Sequence, residues 1–498
     1  MNIGRLKKKI VLPVCAMLLC GTLSGCQYSS LDEYLELLGI KEPEYAENSG
    51  YSYLYDDSDT GTDQEADVDY IAGSEIESGI LQKDSAAESS EDADSEGGST
   101  DFAYESASSS LQNNDSYGAD GVFTGSYKTL GEDELNAEMK AAREEAGLTE
   151  ANLSLLKSQQ EGLYAYERLT SSGKTLYVEI LAIMQNMAEN VLVSTTSDEA
   201  IDLVFDYVMA DHPEIFYVDG YKYTNYTIDN VITKIGFSGA YTYTEDEVKE
   251  KQKLINQAVN ECLAGAPSST DDYYAIKYVY EYLIKNTEYD VDNPDNQNIC
   301  SVFIDHRSVC NGYSKAAQYL LNKLGIKCTL VTGTVNTKKS SGVRHAWNLV
   351  LCNDAYYYLD VTWGDSSYQI GNGENADTTK LPEVNYDYLN VTTDEISKNH
   401  VISDEIYMPV CNSMTDNYYV REDEYFTSAE LVLVGELFDR RYQDGSSNVV
   451  IKCATADIYD QLFEQLITQR KVFDYLQGDT SSVSYTTFAD TNTIIFWL

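Results

Sequence analysis

Residues 308–316 read Ser-Val-Cys-Asn-Gly-Tyr-Ser-Lys-Ala, and the apolar residues after them recur at helical spacing. Leu320 and Leu321 fall on one side of such a helix, and Gly325 is typical of the residue that ends one. The pattern predicts a helix that begins close to Cys310. A cysteine there faces unpaired N–H groups and the positive end of the helix dipole, which favour the nucleophilic thiolate. A small buried thiol without a chemical role is the alternative interpretation.

Three predicted strands follow this helix, at Cys328–Val335, His345–Cys352 and Tyr356–Trp363. Asn353-Asp354 is suited to a tight hairpin turn between the last two strands. A second predicted helix precedes the cysteine, with a cap within Ser268–Asp271 and an apolar stripe after it. Helices followed by an antiparallel sheet favour an α+β architecture.

The predicted hairpin brings two chemically useful side chains together. With the turn at 353–354, Trp347 lies opposite Asp360, and His345 is a diagonal neighbour of Asp360 on the same face. A register change of one residue would move Asp360 to the other face. A carboxylate that holds one imidazole nitrogen leaves the other free to take a proton from a thiol. A surface histidine and a surface aspartate are the alternative.

In the order Cys, His, Asp, these segments resemble the transglutaminase-like superfamily, whose fold is related to that of papain-like cysteine proteases. The matching strings are residues 308–316, His345-Ala346-Trp347-Asn348 and Leu359-Asp360-Val361-Thr362-Trp363-Gly364-Asp365. The resemblance covers about residues 272–368. It implies a helix that carries the cysteine and packs on an antiparallel sheet. It also implies that Cys310 is the nucleophile, His345 the general base and acid, and Asp360 the residue that orients the imidazole.

The resemblance extends to further residues of the site. Family members often carry a polar or aromatic oxyanion partner upstream of the cysteine, and Gln297 is at the matching position. An ordinary loop amide is the alternative for Gln297. Trp347 and Trp363 are predicted to wall the site and contact substrate, although core packing explains them about as well. His306 departs from the family, in which small residues are commoner there; we expect it on the surface, and a role in tuning the thiolate is the alternative.

The chain around this domain divides into four further parts. Residues 1–26 are predicted to be a lipoprotein signal peptide and residues 27–120 an acidic disordered tether. Two α/β regions, 121–268 and 402–498, flank the transglutaminase-like domain at 269–401. The helices predicted in these flanks are Glu132–Gln160, Lys174–Asn190, Asp198–Met209 and Ile458–Arg470.

The amino terminus indicates export. Three lysines precede an apolar stretch from Ile10 to Cys20, which is short for a bilayer span. It ends in Leu23-Ser24-Gly25-Cys26, which looks like a bacterial lipobox with Cys26 as the lipidated residue. This similarity implies a protein anchored by lipid to the outer face of the bacterial membrane. An ordinary cleavage site with an incidental cysteine is the alternative.

Charge excludes one class of partner. The formal net charge is −48, and residues 27–120 contribute −23 of it, from 25 Asp and Glu against 2 Lys. No basic surface is indicated, so nucleic acid is not an expected partner. Tyrosine is abundant, with 42 Tyr against 12 Phe, which suits half-buried sheet positions as well as carbohydrate-facing surfaces.

The remaining motifs point to no cofactor. The four histidines are far apart, and the cysteines show no C-x-x-C spacing, so we expect no metal site. No loop has the ordered spacing of calcium ligands. Cys328 and Cys352 form the one pair worth inspecting for a disulfide.

Two functions are compatible with these patterns. The main hypothesis is an extracellular cysteine acyl-transfer enzyme that acts on peptide or side-chain amides through a thioester. Hydrolysis would make it a protease or peptidase, including one for cell-wall peptides, and transfer to an amine would make it a cross-linking enzyme. The alternative is a lipoprotein that binds cell-wall polysaccharide or protein with an idle triad.

Overall fold

The computed structural model describes residues 44–50, 76–83, 135–228, 230–336, 341–365 and 381–498. The predicted signal peptide, including Cys26, and most of the predicted tether lie outside these ranges. Among the described residues, no helix combines the length and the apolar character needed to cross a membrane.

The first described region after the tether consists of helices followed by a long hairpin. Its elements are α1 (Ala137–Glu145), α2 (Glu150–Gln160), α3 (Tyr164–Glu167), α4 (Ser171–Gln185), β3 (Val191–Val193), α5 (Asp198–Asp211), β4 (Val218–Ile228), β5 (Val231–Tyr241) and α6 (Glu245–Ala264). The single helix predicted over Glu132–Gln160 is two helices, because Gly147 between them has a φ of 80°. In α5 the predicted apolar stripe is buried, and Ser197 rather than Asp198 caps the helix.

The central region carries the predicted nucleophile. Its elements are α7 (Asp272–Asn286), β6 (Glu288–Tyr289), a π-helical turn (Ser301–Asp305), β7 (Arg307–Ser308), α8 (Cys310–Lys323), β8 (Cys328–Val335), β9 (Val343–Cys352), β10 (Ala355–Leu359), α9 (Val361–Gly364), α10 (Thr393–Ile396) and β11 (His400–Ile402). Four of these strands form an antiparallel sheet in the order β10-β9-β8-β11. The apolar side of α8 is buried against β8 and β9, as its spacing predicts.

The hairpin of β9 and β10 follows the predicted register, but β10 ends earlier than predicted. Cys352 pairs with Ala355 across the turn, where Asn353 has a φ of 52°. The strand stops at Leu359 instead of continuing to Trp363, because Asp360 caps a one-turn helix by accepting a hydrogen bond from the Trp363 amide at 3.1 Å. Asp360 therefore leaves the strand but stays beside β9.

The last region has a core of its own. Its elements are α11 (Tyr418–Arg421), β12 (Tyr425–Phe426), α12 (Leu431–Gln443), β13 (Asn448–Cys453), α13 (Ala456–Phe463), a π-helical turn (Glu464–Thr468), β14 (Ser482–Phe488) and β15 (Thr493–Trp497). Val434, Phe438 and Phe496 are among its fully buried side chains. The helix predicted over Ile458–Arg470 is α-helical only to Phe463 and continues as the π-helical turn.

Two short segments of the predicted tether are strands. The first, β1 (Glu44–Gly50), pairs antiparallel with β4, and the second, β2 (Ile76–Gln82), pairs antiparallel with β14. Backbone pairing with an existing sheet edge requires few buried side chains, so acidic composition does not preclude it. With these strands included, helices and mainly antiparallel sheets confirm the predicted α+β class.

Candidate active site

Cys310 is the first residue of α8, the position expected for an activated thiol. The residue before it, Val309, is extended and supplies no side-chain cap to the helix. The Cys310 side chain lies at the positive end of α8, where the preceding side chain supplies no cap. Among the seven cysteines in the described ranges, Cys310 is partly exposed and the other six are buried.

His345 lies between the thiol and a carboxylate. Its Nε2 atom is 2.7 Å from Oδ2 of Asp360, and its imidazole also forms a hydrogen bond with the Cys310 side chain. Because Nε2 faces Asp360, Nδ1 is the nitrogen left for the thiol. The structure thus brings together the three side chains predicted from the motifs, at the junction of a helix start and a hairpin.

The electrostatics of this trio favour charge separation. Burial alone would lower the pKa of His345, but Asp360 and Cys310 outweigh burial and raise this pKa to about 10. Burial would likewise raise the pKa of Asp360, yet His345 and His400 hold it well below its usual range. An imidazolium between carboxylate and sulfur stabilises the thiolate, the form that attacks carbonyl carbon.

Gln297 lies against the start of α8. Its Oε1 atom accepts a hydrogen bond from Asn311 Nδ2 at 2.9 Å, and its backbone carbonyl accepts one from Lys315 Nζ at 3.0 Å. With Oε1 bound by Asn311, the Nε2 group is the part of the Gln297 amide that can serve as a donor. This arrangement suits the oxyanion role that the resemblance implies.

Lys315 is a residue whose importance the sequence analysis missed. It is fully buried in α8, and burial lowers its pKa to about 7, although Cys310 acts in the opposite direction. No local pattern marked it, because Lys315 lies on the side of the helix opposite Ala316, Leu320 and Leu324. A lysine at such a position is expected to extend into solvent. Only the structure shows that it contacts the backbone carbonyl of Gln297 instead.

The two predicted substrate-binding tryptophans do not reach the surface. Trp347 and Trp363 both have an exposure of 0%, so neither offers an indole face to a substrate in this structure. Trp347 instead stacks against the His345 ring, with centroids 5.9 Å apart and planes 22° from parallel. The prediction of substrate contact is therefore corrected in favour of core packing beneath the site.

A second histidine, His400, also contacts Asp360. Its Nε2 atom lies 3.0 Å from the Oδ2 atom that His345 contacts. Sequence reasoning missed it because His400 is on β11, 40 residues beyond Asp360 and outside the motifs. No local pattern distinguished it from any other histidine at the start of a strand.

His345, Asp360 and His400 also have the composition of a metal site. One ligand atom from each lies within 4.8 Å of the others, and all three residues are buried. Both imidazoles, however, already use Nε2 to hydrogen bond the same carboxylate oxygen. A metal ion would have to replace the bonds that orient His345, so the group fits proton chemistry better than coordination.

The other two histidines, and the cysteine pair inspected for a disulfide, are not among the residues that contact Cys310, His345 or Asp360 in the bonds described above. His212 is buried and contacts Glu214 at 2.7 Å, whereas His306 is exposed with a φ of 57°. Cys328 and Cys352 are both free and buried, so the inspected pair is not a disulfide.

Comparison with known families supports the resemblance. The model of the transglutaminase-like superfamily matches residues 257–361, a range that contains Cys310, His345 and Asp360. These residues therefore form a transglutaminase-like domain. A search of curated proteins found no match.

Solved structures match parts of the chain at low identity and low TM-score. A TGase is 15% identical, with a TM-score of 0.21 over 29% of this chain and 44% of its own. A candidate cysteine protease from Cytophaga hutchinsonii is 14% identical, with a TM-score of 0.19 over 28% and 61%. Menin, in a structure that reveals its binding site for Mixed Lineage Leukemia protein, is 16% identical, with a TM-score of 0.20 over 47% and 49%. The chain covers less than two thirds of each of these structures.

Proposed function

We propose that the chain is a cysteine acyl-transfer enzyme that acts on peptide or side-chain amides through a thioester. The observation that carries the proposal is the position of His345, whose imidazole bonds Asp360 on one side and Cys310 on the other. This is the arrangement by which an imidazole activates a thiol and then serves as an acid.

The geometry suggests the role of each group. The Cys310 sulfur attacks the amide carbonyl carbon, and negative charge develops on the carbonyl oxygen. We assign donation to that oxygen to the Nε2 group of Gln297 and to the amino end of α8; the bond between Gln297 Oε1 and Asn311 at the start of this helix supports the assignment. His345 then gives its proton to the leaving amine, and the C–N bond breaks to leave a thioester. Water or a second amine attacks the thioester and releases Cys310.

Location remains part of the proposal. The lysines, the apolar stretch and the Leu23-Ser24-Gly25-Cys26 string support export and lipid anchoring to the outer face of a bacterial membrane. On that surface the substrates would be proteins or peptides, with cell-wall peptides among them.

The first test asks whether Cys310 is activated. Full-length chain in detergent is treated with iodoacetamide at pH 7 and digested with trypsin, which releases residues 308–315 with Cys310 as their sole cysteine. We expect Cys310 to react at least about tenfold faster than an ordinary exposed thiol, and to lose this advantage in His345→Ala. Equal rates in the two proteins would contradict the proposal.

The second test identifies the reaction. The chain is incubated with glutamine-containing and cell-wall peptides together with a fluorescent primary amine, and the products are identified by mass spectrometry. Amine incorporation indicates transfer, and cleavage or deamidation indicates hydrolysis. Both should disappear in Cys310→Ala; if neither forms with any amide substrate, the enzymatic proposal fails.

A binding role is the second candidate, and a cavity favours it. About 290 Å³ of space lies between the central region, at Tyr386, and the last region, at Arg441 and Asn448. Retention on cell-wall polysaccharide in both the unaltered chain and Cys310→Ala, with loss in the cavity-filling variant Asn448→Trp, would support this role. Equal retention of all three proteins would argue against the cavity as the polysaccharide-binding site.

A further inference from the structure

Asp360 depends on more donors than the catalytic imidazole. The carboxylate is fully buried and accepts three hydrogen bonds: from His345 at 2.7 Å, from His400 at 3.0 Å and from the Trp363 amide at 3.1 Å. A buried carboxylate stays ionised only while its donors remain. His345 is the one donor that must also release a proton during the proposed reaction, so the others have to hold the charge at that moment.

The His400 ring is held from several sides. Its exposure is 1%, and its Nδ1 atom contacts Oδ1 of Asn399 at 2.6 Å. The ring centroid is 4.9 Å from Trp347 and 4.7 Å from Trp363. The surrounding core therefore holds the ring in place, and its contact with Asp360 is held with it.

The titratable groups around this ring can be named. Asp360 and His345 face it within the site, and Tyr388 lies against it from the turn before α10. Tyr280 of α7 lies on another side of Asp360, and its pKa, like that of Tyr388, is raised by burial, so both phenols are neutral. Burial also lowers the pKa of His400, although Asp360 opposes this effect. Because Nδ1 faces the Oδ1 acceptor of Asn399, donation through Nε2 to Asp360 requires either a protonated His400 or an Asn399 amide that turns its NH2 group toward Nδ1.

We propose that His400 is a positioning residue that donates to Asp360, keeps this carboxylate ionised and aimed, and thereby maintains the imidazolium–thiolate pair of His345 and Cys310. The inference rests on the proposed function and adds His400 to the group formed by Cys310, His345 and Asp360. His400 acts through Asp360 rather than on the substrate.

The test follows Cys310 alkylation as a function of pH, because this readout needs no substrate. In His400→Phe the ring volume remains but the donor is lost. The Asp360 carboxylate becomes harder to ionise, and the reactive thiolate persists over a narrower acidic range. We expect iodoacetamide modification of residues 308–315 at pH 6 to slow about tenfold or more, with the acid limb of the profile moved to higher pH.

Two variants separate this role from structural damage. In His400→Gln an amide Nε2 can donate to Asp360, and we expect most of the rate and the original pH profile to return. In His212→Phe another buried imidazole is lost away from the site, and the profile should not move. A slower rate in His400→Phe that His400→Gln does not restore, or that His212→Phe reproduces, would overturn the inference.

A spectroscopic measurement on the unaltered chain covers the case in which His400→Phe does not fold. The chain contains four histidines, so ¹⁵N-histidine labelling gives a simple spectrum that single substitutions can assign. We expect a slowly exchanging proton on Nε2 of His400, with a resonance that shifts in Asp360→Asn. An unprotonated Nε2, or a resonance indifferent to Asp360→Asn, would refute the role of His400.

Failure of the inference differs from failure of the proposed function. If Cys310 is alkylated rapidly, and if this rate depends on His345 but not on His400, only the inference is refuted. If Cys310 in the unaltered chain reacts like an ordinary thiol, the proposed function falls and the inference falls with it.

Discussion

The Nε2 atom of His345 lies 2.7 Å from the Oδ2 atom of Asp360, and both residues are buried. One is on a strand and the other caps the helical turn that follows the paired strand. Because water does not screen this bond, the protonation of each partner depends on the other.

Asp360→Asn should therefore change how stability depends on pH. The pKa of His345 is raised from 6.5 to about 10, so its stabilising contribution is complete below pH 6.5 and fades as pH rises toward 10. The pKa of Asp360 is lowered from 3.8, so its contribution is present above pH 3.8 and fades as pH falls further. We expect the variant to lose roughly 3–5 kcal/mol of unfolding free energy where both contributions are complete, from pH 3.8 to 6.5. The loss should be smaller at lower and at higher pH.

Chemical denaturation at a series of pH values measures this difference. Asp387→Asn is a suitable control, because Asp387 is also buried but its partner is Lys452, at 2.6 Å, rather than an imidazole. Its effect should not fade between pH 6.5 and 10. A constant difference for Asp360→Asn from pH 4 to 10 would contradict the coupling.

Gln297→Ala should reduce turnover without altering the thiol. Loss of one oxyanion donor typically costs about 10²–10³-fold in kcat, whereas alkylation of Cys310 involves no oxyanion. We expect slow turnover with an unchanged alkylation rate. Asn296→Ala provides the control, since its amide donates to the Val291 carbonyl and not to the site. Equal losses in both variants would point to a disturbed loop.

Gly312→Ala should be destabilising despite lying in a helix. A Cβ atom at Gly312 would lie within 3 Å of the Asn296 carbonyl oxygen and of the hydroxyl oxygens of Ser301 and Ser308. The clash should outweigh the gain of roughly 1 kcal/mol that alanine brings to a helix, for a net loss of about 1–3 kcal/mol.

Thermal or urea unfolding tests the Gly312 prediction. Gly435→Ala, in α12 and away from the site, is the matched change, and there the nearest atoms belong to the Tyr475 ring at 3.1 Å. We expect it to be close to neutral. If Gly312→Ala is as stable as Gly435→Ala, the close approach of the 296 loop to α8 is incorrect.

The strand β2 makes a prediction about the tether. Ile76–Gln82 pairs with Ser482–Phe488, so amides in both segments should exchange slowly with deuterium. Gly79, opposite Tyr485, is at a hydrogen-bonded position of this ladder, so Gly79→Pro removes one donor to β14 and should accelerate exchange in 482–488. Leu155→Pro would disrupt α2 instead and should leave 482–488 unchanged. Fast exchange of 76–82 in the unaltered chain would argue against β2.

Local sequence determined the parts of the site that depend on short-range patterns. The spacing of Leu320 and Leu321 placed a helix after Cys310, and Asn353-Asp354 set the hairpin register that brings Asp360 beside His345. These features follow from helical periodicity and turn chemistry, which act over a few residues. The resemblance then supplied the expected roles.

The tertiary structure decided what depends on residues distant in sequence. His400 reaches Asp360 across 40 residues, and Lys315 contacts the Gln297 carbonyl across 18. The burial of Trp347 and Trp363 follows from elements packed around them. No periodicity encodes such contacts, because which side chain meets a buried carboxylate is settled only when separate strands and helices pack together.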